Sequence, residues 1–264
     1  MDASILHSKL AQELARWTAR RTVPFRLDSS VLSITFDDFP RSALDCGGRI
    51  LEARGLAGTY YTSFGLANTQ TPSGMVGGLA DLAACVERGH EIACHTYDHL
   101  DCIDATSSDL VESLLHNQAV AHSLGLPPLR HFAYPFGRHG IGAKKTVMHH
   151  YSSARSILRG VNRKNVDLSL LKSVPLYDRP GRPKLTQYLD NLASLPGWLI
   201  LYTHDVSQRP SFYGCTPQEL DGAIARALEL GISVLPVGAV VDKLLASGVS
   251  QSTRNQPLHT GAAL

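Results

Sequence analysis

The 264-residue sequence has little charge and few aromatic side chains, 18% and 7% of its residues. Neither sign of charge dominates: Lys plus Arg number 25 and Asp plus Glu 23, a formal net charge of +2. The strongly basic footprint expected of a nucleic-acid-binding protein is missing. No apolar run approaches the roughly 18 residues that cross a bilayer. The N-terminal stretch MDASILHSKLAQELARWTARR has no unbroken apolar core of the kind a signal peptide carries. Five cysteines, an odd number with no C-x-x-C pair, do not make a secreted disulfide scaffold. These absences predict reduced thiols in a soluble, cytoplasmic protein. Disorder of the whole chain is excluded by the small net charge and 44% hydrophobic content.

What the sequence does contain is alternation. Short β-branched or aromatic runs at 31–36, 58–62, 90–95, 131–136, 153–158, 170–176, 198–204 and 232–237 read as strands. Helical patterns lie between them at 42–54, 78–88, 108–124, 142–150, 184–194, 217–230 and 238–246. Thr216-Pro217-Gln218-Glu219 carries an N-cap, a proline at the first helical position and a glutamate at the third. Repeated strand–helix units imply a parallel sheet covered by helices, and seven or eight of them can close into a barrel. The expected class is α/β, a distorted (β/α) barrel of seven to eight parallel strands.

The barrel is expected over residues 26–248, with an amphipathic helix in 1–25 and a polar tail over 249–264. Ile5, Leu6, Leu10, Leu14 and Trp17 would dock that first helix by one stripe. Lys9, Arg16, Arg20 and Arg21 then read as its solvated face.

Two motif-like segments fail on chemistry. GRHGIGAKKT (137–146) has Ala143 where a phosphate-binding loop needs lysine. HEIAC (90–94) starts like a zinc-protease helix, but Cys94 stands where the second histidine should be.

Three strand ends carry reactive groups. Asp37 and Asp38 follow the first strand, His95 and His99 follow the third, and His204 follows the very apolar WLILY. Charged groups rarely end a buried strand unless a metal or a proton-transfer role stabilises them. Two histidines at i and i+4 face one side of a helical turn and can reach one cation. In a parallel barrel all strand C-termini share one face, so the three groups converge there. One aspartate and two histidines leave a coordination position open for water or substrate, as in catalytic sites. The other carboxylate can accept a proton from water, and His204 can donate one to a departing amine. This chemistry is metal-assisted hydrolysis of an amide or ester.

The ordered motifs Thr35-Phe36-Asp37-Asp38, His95-Thr96-Tyr97-Asp98-His99, Tyr134-Pro135-Phe136-Gly137 and a late strand ending in His204 resemble those of the polysaccharide deacetylases. These are the NodB-homology enzymes of carbohydrate esterase family 4, and the resemblance spans about residues 30–240. It implies Asp37 as catalytic base, His204 as catalytic acid, and Asp38, His95 and His99 as ligands of one divalent ion. Zn²⁺ is expected first, with Co²⁺ or Ni²⁺ also suited to these donors. Tyr134, Pro135, Phe136 and Gly137 would line the acyl pocket, with the Phe136 N–H facing the oxyanion. Phe39 and Tyr97 are candidate sugar-stacking aromatics, as are Phe212 and Tyr213.

The sequence departs from the family pattern in three places. Ala133 stands where many members have an arginine that orients the catalytic aspartate, leaving Arg155 and Arg159 as candidate replacements. The acidic segment that tunes the catalytic histidine has no clear counterpart, with Asp167 and Asp178 as the candidates. Tyr202 replaces the leucine of the last motif.

The implied activity is removal of N-acetyl groups from a GlcNAc-type poly- or oligosaccharide. One alternative keeps fold and metal but acts as a deformylase or amidase on a lipid-linked amino sugar or small cyclic amide. Another is a carbohydrate-binding pseudoenzyme. Nothing in the sequence sets an oligomeric state.

Overall fold

The computed structural model describes residues 11–177 and 184–252, with side chains as far as residue 247. Among them, one parallel sheet contains β1 (Val31–Asp37), β2 (Thr59–Thr62), β3 (Glu91–Cys94), β4 (His131–Ala133), β5 (Ser153–Arg155), β6 (Val174–Pro175), β7 (Trp198–Thr203) and β8 (Ser233–Val234). The order is β6-β7-β1-β2-β3-β4-β5, with β8 also on β1. A bridge from Arg155 to Leu171, just ahead of β6, brings the two ends of that order together. The result is the expected distorted barrel.

The distortion has a visible cause in β1. Its first half pairs with β8 through Val31 and Leu32, whereas its second half pairs with β2 from Thr35 to Asp37. Along its whole length it runs beside β7, from Val31↔Trp198 to Phe36↔Thr203.

Among the described residues, the longer helices that flank the sheet are α1 (Leu79–Glu87), α2 (Ser107–Ser123), α3 (Ile141–His150), α4 (Leu185–Ser194), α5 (Pro217–Glu229) and α6 (Val237–Ser252). A further helical stretch, Ala43–Gly48 with Arg49–Glu52, follows β1. The Thr216–Glu219 capping box forms at α5 as its sequence requires. Leu32, Ile34 and Phe36 on β1 and Leu199 and Leu201 on β7 pack outward into the main core. The alternate residues Val31, Trp198 and Ile200 build a second, interior cluster with α6.

Both chain ends differ from expectation. Residues 11–17 are helical, but Leu14 and Trp17 are 52% and 77% exposed while Ala15 is buried. The stripe does not dock the helix at these positions. Instead the buried Lys144 Nζ donates to the carbonyls of Ala15 (2.7 Å) and Thr18 (2.8 Å), capping the helix C-terminus. Ile5, Leu6 and Leu10 lie outside the described residues. At the other end, α6 runs through Ser252, so the 248/249 boundary falls inside a helix. Two short pairs were not anticipated: Thr22–Pro24 with Asn165–Asp167, and Gln70–Thr71 with Gly74–Met75.

Candidate active site

Strand parity decides which side chains meet. Successive residues of a strand point to opposite faces. On β1, Leu32, Ile34 and Phe36 face outward, so Ser33, Thr35 and Asp37 face the interior. Tyr61, Ala93 and Ala133 share that interior as a small cluster. Arg155 pairs in register with Ala133 and therefore projects to the same side. Tyr202 follows Trp198 and Ile200, and His204 continues their parity past the strand end.

This arithmetic supplies the arginine missing at residue 133. Arg155 Nη2 donates to Asp37 Oδ1 at 2.5 Å and to Oδ2 at 2.6 Å, with both residues buried. The guanidinium lies 5.0 Å from the ring centroids of both Tyr61 and Tyr202. The tyrosine in the last motif thus covers the buried cation from one side. Burial alone would raise the Asp37 pKa, but Arg155, with His95 and His204, outweighs it and holds the carboxyl below the usual range. Asp37 is therefore ionised at neutral pH. Arg159 is exposed and does not take this place.

The next residue, Asp38, turns toward the histidines. Its Oδ1 is 3.6 Å from His95 Nε2 and 3.3 Å from His99 Nε2, and its Oδ2 is 3.8 Å from His204 Nε2. One ligand atom from each of Asp38, His95 and His99 lies within 4.8 Å of the others. Asp38 Oδ1 is buried with no hydrogen-bond partner among the described residues, as expected of an oxygen that faces a cation. His95 Nδ1 lies 2.8 Å from the Ala133 carbonyl, which can only accept. The proton is accordingly assigned to Nδ1, and the Nε2 lone pair faces Asp38. Burial, with help from His99, pushes the His95 pKa down to about 4, so the ring is neutral as a metal ligand must be. The donor set and its spacing fit a divalent cation.

The two histidines do not meet by helical spacing. Residues 95–100 form a loop in which Thr96 (φ 61°) and His99 (φ 56°) adopt left-handed backbone. The loop is pinned by Ser113, whose hydroxyl accepts from the Tyr97 N–H and donates to Asp98 Oδ1. Buried Asn117 ties down the adjoining strand ends by donating to the Thr62 carbonyl and accepting from the Phe64 N–H. Asp38 (φ 64°), Phe39 (φ 55°) and Phe136 (φ 57°) are left-handed too. Each such residue costs about 1–2 kcal/mol, and their concentration at one rim marks a functional site.

The cluster opens into a cleft of about 500 Å³. Tyr134 is buried, and its hydroxyl donates to the Ser169 carbonyl at 3.2 Å. Pro135 is buried behind it, whereas Phe136 is 59% exposed with its ring edge-on to His99 at 4.4 Å. Gly137 has φ +66°, and a Cβ there would lie 2.2 Å from Ile157 Cγ1. Tyr134, Phe136 and Gly137 line the cleft together with Asp37, Asp38, His95, His99 and His204.

Two candidate aromatics are misplaced. Phe39 is buried and packs edge-on against Tyr60 at 5.6 Å, because its left-handed backbone sends the ring into the core. Tyr97 stacks on His116 at 3.6 Å, outside the cleft lining. The aromatic wall is formed instead by Tyr177, Tyr202 and Tyr213. The Tyr213 ring lies 5.3 Å from His204, and its carbonyl accepts from the His204 N–H. Phe212 projects beside it, exposed.

His204 Nδ1 is buried and has no partner among the described residues. Asp167 does not serve it: that carboxylate accepts from the Arg21 N–H, from Ser169 and from Arg20. Asp178 lies outside the described residues.

Fold and site together define an α/β-barrel domain with a carboxylate–imidazole cluster at the carboxyl ends of its strands. Residues 26–151 match the family model described as polysaccharide deacetylase. Among solved structures, a mutant of the peptidoglycan deacetylase PdaC from Bacillus subtilis superposes with TM-score 0.58 at 15% identity, covering 87% of this chain and 98% of the other. A pseudoenzyme of carbohydrate esterase family 4 from Bacillus anthracis also gives TM-score 0.58 at 15% identity, over 82% of this chain and 66% of that one. A family 4 carbohydrate esterase from Streptomyces lividans, in complex with acetate, gives 0.52 at 18% identity, over 80% and 93%. No curated protein matches. Residues 26–151 thus resemble the polysaccharide deacetylase (NodB-homology) family, and the barrel has the fold of these carbohydrate esterase family 4 structures.

Proposed function

We propose that this protein hydrolyses the N-acetyl amide of an amino sugar in a GlcNAc-type poly- or oligosaccharide, with one divalent cation, Zn²⁺ first among the candidates. The observation that carries the reading is the ionised Asp37, locked by Arg155 next to the cradle of Asp38, His95 and His99. A cation bound in that cradle supplies Lewis-acid chemistry to a water and to the amide oxygen.

The chain's own residues divide the proton transfers. Asp37 accepts the proton of the attacking water, and Arg155 keeps the carboxylate charged and aimed while it waits. His204 donates from Nε2 to the departing nitrogen, so that a neutral amine leaves. The Tyr134–Gly137 turn walls the acyl pocket, where Ile157 and the absence of a Cβ at Gly137 set the room available. The exposed face of Phe136 offers an apolar surface to a sugar ring.

The test is release of acetate and formate from a panel of N-acylated amino-sugar oligosaccharides, with and without a chelator. Acetate release that the chelator stops and added Zn²⁺ restores is the expected result. Formate without acetate would replace this reading with the deformylase, and release of neither would leave a carbohydrate-binding protein.

A further inference from the structure

A second cavity, of about 690 Å³, adjoins the reaction cleft and takes no part in the chemistry above. Ile157 and Tyr202 line both, so the two spaces share a wall. Four cations surround the second cavity, Arg16, Arg20, Arg159 and Lys172, against one lining carboxylate, Asp167. Asp167 is already occupied, with Arg20 Nε at 3.4 Å and Lys144 Nζ at 3.7 Å. Arg16 is paired with Glu13 at 2.7 Å. Arg159 and Lys172 are exposed, and neither side-chain charge has an acidic partner among the described residues.

Exposed cations on a convex surface need no explanation. Here they flank a concavity, where low-dielectric walls concentrate the positive field. The cavity also presents the ring of Trp17, 77% exposed, as a flat apolar face. A flat apolar face beside exposed cations suits a pyranose ring that bears an anion. Arg159 adds the planar fork that matches carboxylate and phosphate oxygens. The N-terminal helical segment thus contributes Arg16 and Trp17, and the chain just beyond its end Arg20, to a concave site, in place of the solvated face the sequence predicts.

We infer that this cavity is a substrate subsite for an anionic substituent, carboxylate or phosphate, on the sugar next to the one deacylated. The inference rests on the deacetylase reading for the word substrate, and on the cavity alone for anion binding. A glycan of alternating amino sugar and uronic acid, or an amino-sugar chain ending in a phosphate monoester, satisfies it. An uncharged homopolymer leaves Arg159 and Lys172 unused.

The test reads binding, so that it stands apart from turnover. The chain has two tryptophans, and Trp198 is fully buried, so a ligand-linked change in emission reports Trp17. The full-length, Zn²⁺-loaded Asp37→Asn variant is titrated with three oligosaccharides of equal length. These are neutral GlcNAc, alternating GlcNAc and glucuronic acid, and GlcNAc with a terminal phosphate. At least one anionic ligand should bind about tenfold more tightly than the neutral one at low salt, and the advantage should shrink as ionic strength rises. Arg159→Glu with Lys172→Glu should bring the anionic-to-neutral affinity ratio toward one, with an unchanged melting temperature showing that the fold is kept. Equal affinities for all three ligands, or a preference that survives the double charge reversal, would overturn the inference. Anion-selective binding in a protein that releases no acetate would keep this site and sink the deacetylase reading instead.

Discussion

Asp37 and Arg155 come from strands on opposite sides of the barrel interior, yet a single guanidinium nitrogen donates to both carboxylate oxygens at 2.5 and 2.6 Å. Removing one member of such a buried pair leaves an uncompensated charge, which costs about 3–5 kcal/mol. Arg155→Met should therefore destabilise the protein by that order in urea denaturation. Its effect on pH dependence has a definite sign. Burial raises the Asp37 pKa and Arg155 is the chief group lowering it, so the pKa must rise in the variant. In the wild type the pair's stabilisation is present above the ordinary carboxylate pKa and lost as pH falls through the lower folded value. The acidic limb of kcat/KM should accordingly move to higher pH in Arg155→Met. An unmoved limb would mean that Arg155 does not tune Asp37.

The register Ala133↔Arg155 makes a stricter test possible. If the requirement is a guanidinium on the interior face, its strand of origin is secondary. Arg155→Ala combined with Ala133→Arg should recover a measurable part of the activity lost in Arg155→Ala alone. The acidic limb should also return toward its wild-type position. Recovery of stability without recovery of the pH profile would show that the arginine is merely structural.

Asp37 and Asp38 are adjacent in sequence but differ in environment, and their variants should separate. Asp37→Asn should lower kcat by about 10²–10⁴-fold, the usual worth of a general base, while metal stoichiometry by elemental analysis stays at the wild-type value. His95→Ala should lose both metal and turnover. A fully active Asp37→Asn variant would remove the base assignment.

Much of this was readable in the sequence because strand parity and barrel topology are local and cooperative rules. Each of the eight described sheet strands lies on one of the apolar runs, β1 alone extending one residue past its run to Asp37, and Asp38, His95 and His99 converge as strand ends on one rim must. Other features needed three-dimensional information. The histidines meet through left-handed residues at 96 and 99, which no helical spacing announces in non-glycine positions. Phe39 reads as a rim aromatic until its own positive φ turns the ring into the core. Arg155 was one of two candidates, because choosing between 155 and 159 requires the register of β5 on β4. A charged residue in the apolar run SARSIL was the available clue: an arginine at interior parity has to find a carboxylate.

Gly137 is constrained twice over, by its φ of +66° and by Ile157, whose Cγ1 would be 2.2 Å from an added Cβ. An alanine there pays the left-handed penalty and also overpacks the acyl pocket. Gly137→Ala should cost about 2 kcal/mol or more and raise KM for the N-acetyl substrate. Adding Ile157→Ala should relieve the contact but leave the backbone penalty. The double variant should thus recover only part of the stability, measured by urea denaturation. Full recovery would show that the side-chain clash alone required the glycine.

His204 Nε2 is 3.8 Å from Asp38 Oδ2, close enough that this histidine could be read as a further metal ligand instead of a proton donor. The two roles predict opposite dependence on the leaving group. An amine must be protonated to depart, whereas 4-nitrophenolate leaves unaided. If His204 is the acid, His204→Asn should lower kcat on an N-acetyl oligosaccharide by about 10²–10⁴-fold. Hydrolysis of 4-nitrophenyl acetate should stay near wild type, and so should the affinity for Zn²⁺. If His204 instead holds the cation, the variant should bind Zn²⁺ more weakly, and both substrates should slow together. Titrating Zn²⁺ while following both reactions separates the cases, because excess metal would rescue a lost ligand and cannot replace a lost proton.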